Sequence, residues 1–139
     1  CRTLEQVPGI GPITATALVA TVGSHINEFK NGRQLAAFLG LVPKQHSSGG
    51  KVRLQGISKR GDGYVRRLLI HGARAVLLHT LRKPERSHTW LAQLATRRNS
   101  NVACVAQANK TARIVWAMLA HHQEFRHDLA ACSTQATPA

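Results

Sequence analysis

The chain holds 139 residues, a single-domain length, and 43% of them are hydrophobic while 4% are aromatic, so its core has to be built from Ala, Leu, Val and Ile. Nineteen Lys and Arg face six Asp and Glu, a formal charge of +13 that repels itself unless a polyanion is near, which makes nucleic acid the leading partner. No apolar run approaches the roughly 20 residues of a bilayer span, and three cysteines without CxxC spacing (Cys1, Cys104, Cys132) argue against a disulfide framework or a zinc ribbon.

A reducing cytoplasm suits such thiols, and the start, without Met or leader, reads as the inside of a longer protein whose upstream domain is missing. Helical periodicity predicts a mainly α fold. Val7-Pro-Gly-Ile-Gly-Pro12, followed by small and apolar residues to Gly23, reads as helix, tight hairpin, helix over about 4–23. Pro12 fits the first helical position and Gly23 the place just past the end. The pattern resembles the helix-hairpin-helix of DNA-binding proteins, where backbone near Gly9 and Gly11 approaches a phosphate; the same glycines also suit a plain tight corner between helices.

Ser24 to Gly32 reads as a loop anchored by Phe29, and Gln34 to Leu39 as a short helix stopped by Gly40. After Pro43, the stretch Lys44-Gln-His-Ser-Ser-Gly-Gly-Lys51 and the loose alternation of Val52, Leu54 and Ile57 predict an exposed Gly/Ser-rich loop or a short β-hairpin. A helix then opens behind Asp62 as N-cap, with Val65, Leu68, Leu69, Gly72, Ala73 and Val76 as its apolar stripe. Between Lys44 and Arg74 stand eight basic residues against one acid: Lys44, Lys51, Arg53, Lys59, Arg60, Arg66, Arg67 and Arg74. A solvated face accounts for such runs in general; beside a Gly-rich loop they suit phosphate binding. Lys83-Pro84-Glu85 breaks the helix, and a shorter one with Trp90, Leu91 and Leu94 ends near Arg97. A last helix, about 102–124, carries Val105, Ala108, Ala112, Val115, Trp116 and Leu119 on one side, with Trp116 as core, and Lys110 and Arg113 on another. Residues 1–126 form the domain and 127–139 read as a disordered tail.

The six acids, Glu5, Glu28, Asp62, Glu85, Glu124 and Asp128, are scattered, so a self-contained two-metal site is not expected, and no His or Cys spacing suggests a ligand set. For nucleophilic chemistry the candidate is a serine beside glycines. Gly49 and Gly50 give clearance, Lys51, Arg53, Lys59 and Arg60 are cations for phosphoryl oxygens, and His46, two residues before Ser48, is either a base or an ordinary loop histidine.

Together, Val7-Pro-Gly-Ile-Gly-Pro12, Phe38-Leu-Gly-Leu-Val-Pro43, Ser47-Ser-Gly-Gly-Lys51, Ile57-Ser-Lys-Arg-Gly-Asp62 and Asn109-Lys-Thr-Ala-Arg-Ile-Val-Trp116 resemble the C-terminal transposase domain of the insertion-sequence 110/116/902 family, with Piv-type DNA invertases as relatives. The resemblance spans about residues 4–125. It implies a DNA recombinase in which a serine of this domain attacks a DNA strand and forms a phosphoserine linkage. Ser48 is the position that matches, with Ser47 its neighbouring competitor and Lys59 an accompanying cation. It also implies an upstream RuvC-like domain holding Mg²⁺, no cofactor in this domain, a structured bridge RNA as guide, and a homo-oligomer. The other reading is a helix-hairpin-helix binding module in which no residue reacts.

Overall fold

The computed structural model describes residues 1–127, without the side chains of His46, Ser47, Val52, Arg53 and Leu54; Asp128, Cys132 and the expected tail lie outside the described residues. The hairpin Val7–Gly11 is entered by a single 3-10 turn, Leu4–Gln6, where the sequence predicts a helix. Pro8 and the positive φ of Gly9 (90°) end that turn. Leu4 and Val7 nevertheless lie in the core, 2% exposed each. Helix α1, Pro12–Val22, starts as predicted, with Gly11 extended at the N-cap and Pro12 in the first turn. It runs on through a 3-10 segment, Gly23–Glu28, because Gly23 is right-handed rather than a left-handed stop. Phe29 is the expected anchor. Its ring meets Phe38 edge-to-face at 5.3 Å, and its carbonyl accepts the Trp116 indole N–H at 3.1 Å.

Helix α2, Gly32–Phe38, begins two residues earlier than the periodicity suggests, because the Asn31 side chain accepts the Gln34 N–H at 3.0 Å. Strands β1, Pro43–Ser48, and β2, Lys51–Ile57, pair antiparallel with an irregularity between Pro43 and Gln45. Helix α3, Gly63–Leu81, is capped by Asp62, whose carboxylate accepts from the N–H groups of Tyr64 (2.7 Å) and Val65 (3.1 Å). Helix α4, Trp90–Arg97, carries Thr89 as N-cap, and α5, Ser100–His121, carries Asn99. The last helix stops short of Glu124 at His122, which turns left-handed (φ 51°).

The core is aliphatic, as the composition requires. Leu18, Leu35, Leu39, Leu41, Val65, Leu69, Ala108, Ala112 and Val115 form its main part, and Leu77, Leu91, Ala103 and Cys104 a smaller one. Helix α5 lies at the centre, packed against α2, α3 and α4, so that the hairpin projects from the side of a helical body. Among the described residues no helix is long and apolar enough to cross a membrane.

Candidate functional site

The ladder between β1 and β2 ends at the pair Ser48–Lys51, leaving Gly49 and Gly50 as a two-residue turn with φ of 60° and 77°. Two successive positive φ values are the signature of a type I′ turn, whose twist matches that of the strands. A Cβ on either glycine would meet nothing within 4 Å, so their absence of side chain serves conformation and leaves open space at the tip. Ser48 and Lys51 are both exposed. Directly opposed residues of an antiparallel pair share a face with Cβ atoms about 5 Å apart, so a cation accompanies the Ser48 hydroxyl. Ser47 pairs with Val52 and His46 with Arg53 along the backbone. The side chains of His46, Ser47 and Arg53 lie outside the described residues.

Lys59 is not brought to the serine. It follows the far end of β2, whose six residue rises from Lys51 to Ile57 span about 20 Å. It sits instead in a backbone strap, Ser58–Asp62, laid on the end of α2: the Ser58 N–H donates to Val42 O (2.8 Å) and the Lys59 N–H to Gly40 O (3.2 Å). The approach is close enough that a Cβ on Gly61 would overlap the Phe38 carbonyl oxygen and one on Gly40 the Arg60 carbonyl oxygen. Both glycines also hold positive φ, 91° and 72°, and Lys59 itself is left-handed at 55°. Two of the sequence motifs, Phe38-Leu-Gly-Leu-Val-Pro43 and Ile57-Ser-Lys-Arg-Gly-Asp62, are therefore the two halves of one backbone clasp that sets the base of the hairpin.

Arg66 closes that clasp. Its guanidinium donates to Leu39 O (3.2 Å) and Arg60 O (3.4 Å), and it is half-buried. The adjacent Arg67 is exposed and reaches only Gly63 O of its own helix (3.2 Å). Charged donors to backbone oxygens contribute about 1.5–3 kcal/mol. Arg66→Ala is accordingly expected to lower unfolding stability by about 1–3 kcal/mol, and Arg67→Ala by less than about 0.5 kcal/mol, as read by urea denaturation. Equal effects would remove the clasp from the account.

At the other predicted contact, Gly9 packs backbone to backbone on α3: a Cβ there would lie 2.9 Å from Gly72 O, and one on Gly72 would overlap Gly9 O. Gly11 is free of such contacts and exposed at the start of α1. Lys44, Lys51, Lys59, Arg60 and Arg67 are exposed, as is Arg113, whereas Lys110 is half-buried with its ammonium 5.0 Å from the Trp90 ring centroid. Burial, with the Arg113 charge beside it, holds the Lys110 pKa below its usual value. Asn109, which opens the last of the sequence motifs without a role of its own there, donates its side-chain N–H to Leu41 O (3.1 Å) and ties α5 to the entry of β1. Its signal is an amide inside an otherwise apolar helical face.

No group of three or more His, Cys, Asp or Glu among the described residues is placed to hold a metal ion. The described carboxylates stand on separate elements, and that of Asp62 is spent on capping α3. The described residues do not fit a divalent ion of their own.

The domain is a strongly basic helical body that carries a two-stranded hairpin. The chain belongs to the transposase IS116/IS110/IS902 family, whose model matches residues 1–89, from the Gly-rich hairpin through α3. It is 51% identical over 126 residues to the transposase for insertion sequence element IS1111A of Coxiella burnetii, covering 91% of this chain and 34% of that protein. It is 54% identical over 123 residues to a probable family 20 transposase of Pseudomonas aeruginosa, covering 88% of this chain and 36% of the other. Against the transposase for element IS1328 of Yersinia enterocolitica it is 45% identical over 113 residues, 81% and 34% of the two chains. The chain spans about a third of the length of these curated relatives.

Proposed function

We propose that this domain is the serine-bearing, DNA-contacting part of a transposase that cuts and joins DNA through a phosphoserine intermediate. The observation that carries the reading is the exposed Ser48 at a glycine-cleared turn, with Lys51 paired across the ladder. In the step envisaged, the Ser48 Oγ attacks a backbone phosphorus; the Oγ–P bond forms, a P–O bond to deoxyribose breaks, and the departing oxygen takes up a proton while the serine loses its own. The number of phosphodiester bonds is conserved, so rejoining is the same exchange in reverse. Lys51 offsets charge on the non-bridging oxygens. Mg²⁺, expected of an upstream RuvC-like domain, finds no donor set among the described residues and enters no step here.

Lys44, Lys51, Arg60 and Arg67, exposed on the hairpin, strap and α3, suit phosphate contact without base readout. In the helix-hairpin-helix reading, contact falls to Gly11 and the first turn of α1, since Gly9 is engaged with α3. Arg67→Ala is expected to reduce the slope of log affinity against log salt by about 1. A structured guide RNA and a second subunit are the further partners expected of the whole transposase.

The test is a full-length transposase containing this domain, incubated with DNA, guide RNA and Mg²⁺, followed by peptide mass spectrometry. A nucleotide linked to Ser48 is expected. An adduct on Ser47 reassigns the nucleophile, and tight DNA binding without an adduct under cleaving conditions overturns catalysis in favour of a binding module.

A further inference from the structure

Between the start of α2, the base of the hairpin and the outer face of α5 runs a groove of about 1130 Å³. Its floor is apolar, with Ile57, Trp90, Val102, Val105 and Ile114, and Val102 is 51% exposed. Its cations are Arg33, Lys110 and Arg113, and among the described residues no Asp or Glu lines it. The wall is drawn tight where Gly32 meets α5, since a Cβ there would lie 2.9 Å from the Arg113 Cα. A neighbouring hollow of about 550 Å³ shares Pro43, Ile57, Val102 and Val105 and adds Lys44 and Lys59. The two form one apolar track with cations at both ends.

Lys110 is half-buried and stands beside Arg113; among the described residues the one ion pair is His25–Glu28, elsewhere in the chain. Glu124 lines an adjoining cavity that Lys110 also reaches, without an ion pair to it. A half-buried ammonium beside an exposed guanidinium, with no described carboxylate paired to either, is a repulsion that an anion relieves. The apolar floor requires more of that anion than charge. The groove exceeds the roughly 300–1,000 Å³ typical of small-molecule pockets, and a duplex keeps its base faces stacked inside. An unpaired strand alternates phosphate with exposed base planes.

We propose that this groove seats an unpaired stretch of nucleic acid, with bases on the Trp90–Val102–Val105 floor and phosphates on Lys110 and Arg113, continuing past Lys44 and Lys59. The assignment rests on the reading of the domain as one that handles DNA, and names where a melted segment lies relative to the serine hairpin.

The test uses the 139-residue chain with Trp116→Phe, which leaves Trp90 as its tryptophan. Single-stranded oligothymidylate is expected to quench Trp90 fluorescence. Lys110→Gln is expected to weaken single-strand affinity about tenfold, with duplex affinity of the same length held within about twofold. Arg113→Gln, at an exposed position, repeats the test without disturbing a half-buried site. Duplex binding combined with unchanged single-strand affinity in both variants overturns the proposal. Equal quenching by a polyglutamate peptide overturns it in favour of an acidic protein partner. Binding of neither nucleic acid by the unmutated chain removes the DNA reading itself.

Discussion

Ser48→Ala in a full-length transposase carrying this domain is expected to abolish cutting and joining, by at least ~10⁴-fold, the scale on which loss of a nucleophile is felt when nothing replaces it. DNA affinity is expected to stay within about twofold, because the hydroxyl contributes one neutral contact among many phosphate contacts. Stability should hardly move: Ser48 is exposed, and an exposed side chain with no partner contributes within about 0.5 kcal/mol. The turn geometry depends on Gly49 and Gly50 rather than on Ser48, so the hairpin keeps its shape. Ser47→Ala, by contrast, is expected to recombine at close to the parental rate. Lys51→Ala should fall between, losing about 10²-fold if it offsets phosphoryl charge as a single positioned donor does. Plasmid recombination together with equilibrium DNA binding separates these outcomes. A Ser48→Ala protein that recombines normally eliminates the serine mechanism.

The parts legible in the sequence are those decided by local chemistry. Asp62 before an apolar stripe announced α3, and Pro12 announced the start of α1, because caps act within one turn of the residue that makes them. The Ser-Ser-Gly-Gly run left loop and hairpin open, and the positive φ of both glycines resolved it into a two-residue turn. What was not legible is decided by contacts between distant segments. Arg66 and Arg67 are chemically identical and adjacent, yet one is half-buried on Leu39 and Arg60 oxygens while the other faces solvent. Nearness in sequence groups Lys59 with the serine, but a strand of about 3.3 Å per residue carries it to the opposite end of the hairpin. The groove cations come from α2 and α5, more than 70 positions apart in the chain, and no local pattern joins them.

Gly72→Ala is expected to destabilise the domain severely, by more than ~3 kcal/mol, although secondary-structure propensity alone gives the opposite sign. Gly72 lies inside α3, where replacing glycine with alanine ordinarily adds about 1 kcal/mol. Here, however, the added methyl would occupy the place of the Gly9 carbonyl oxygen. The conflict is between backbone and backbone, so no side chain can swing aside. Gly9 is itself held at φ 90° by the turn that leads into α1, which leaves the hairpin little freedom to retreat. Relief requires α3 to move away from the hairpin, opening space beside Leu4, Val7 and Ile10, which are buried in the same core. Cavity and strain then add, the combination behind the largest single-residue losses. Gly11→Ala is the matched control. It has no neighbour within 4 Å and a φ of −94° that any residue adopts, so it should lose only the preference for glycine at the N-cap, about 1 kcal/mol, and unfold at a urea concentration well above that of Gly72→Ala. If Gly72→Ala unfolds at the same urea concentration as Gly11→Ala, the close approach of hairpin and helix is not what holds the amino-terminal segment to α3.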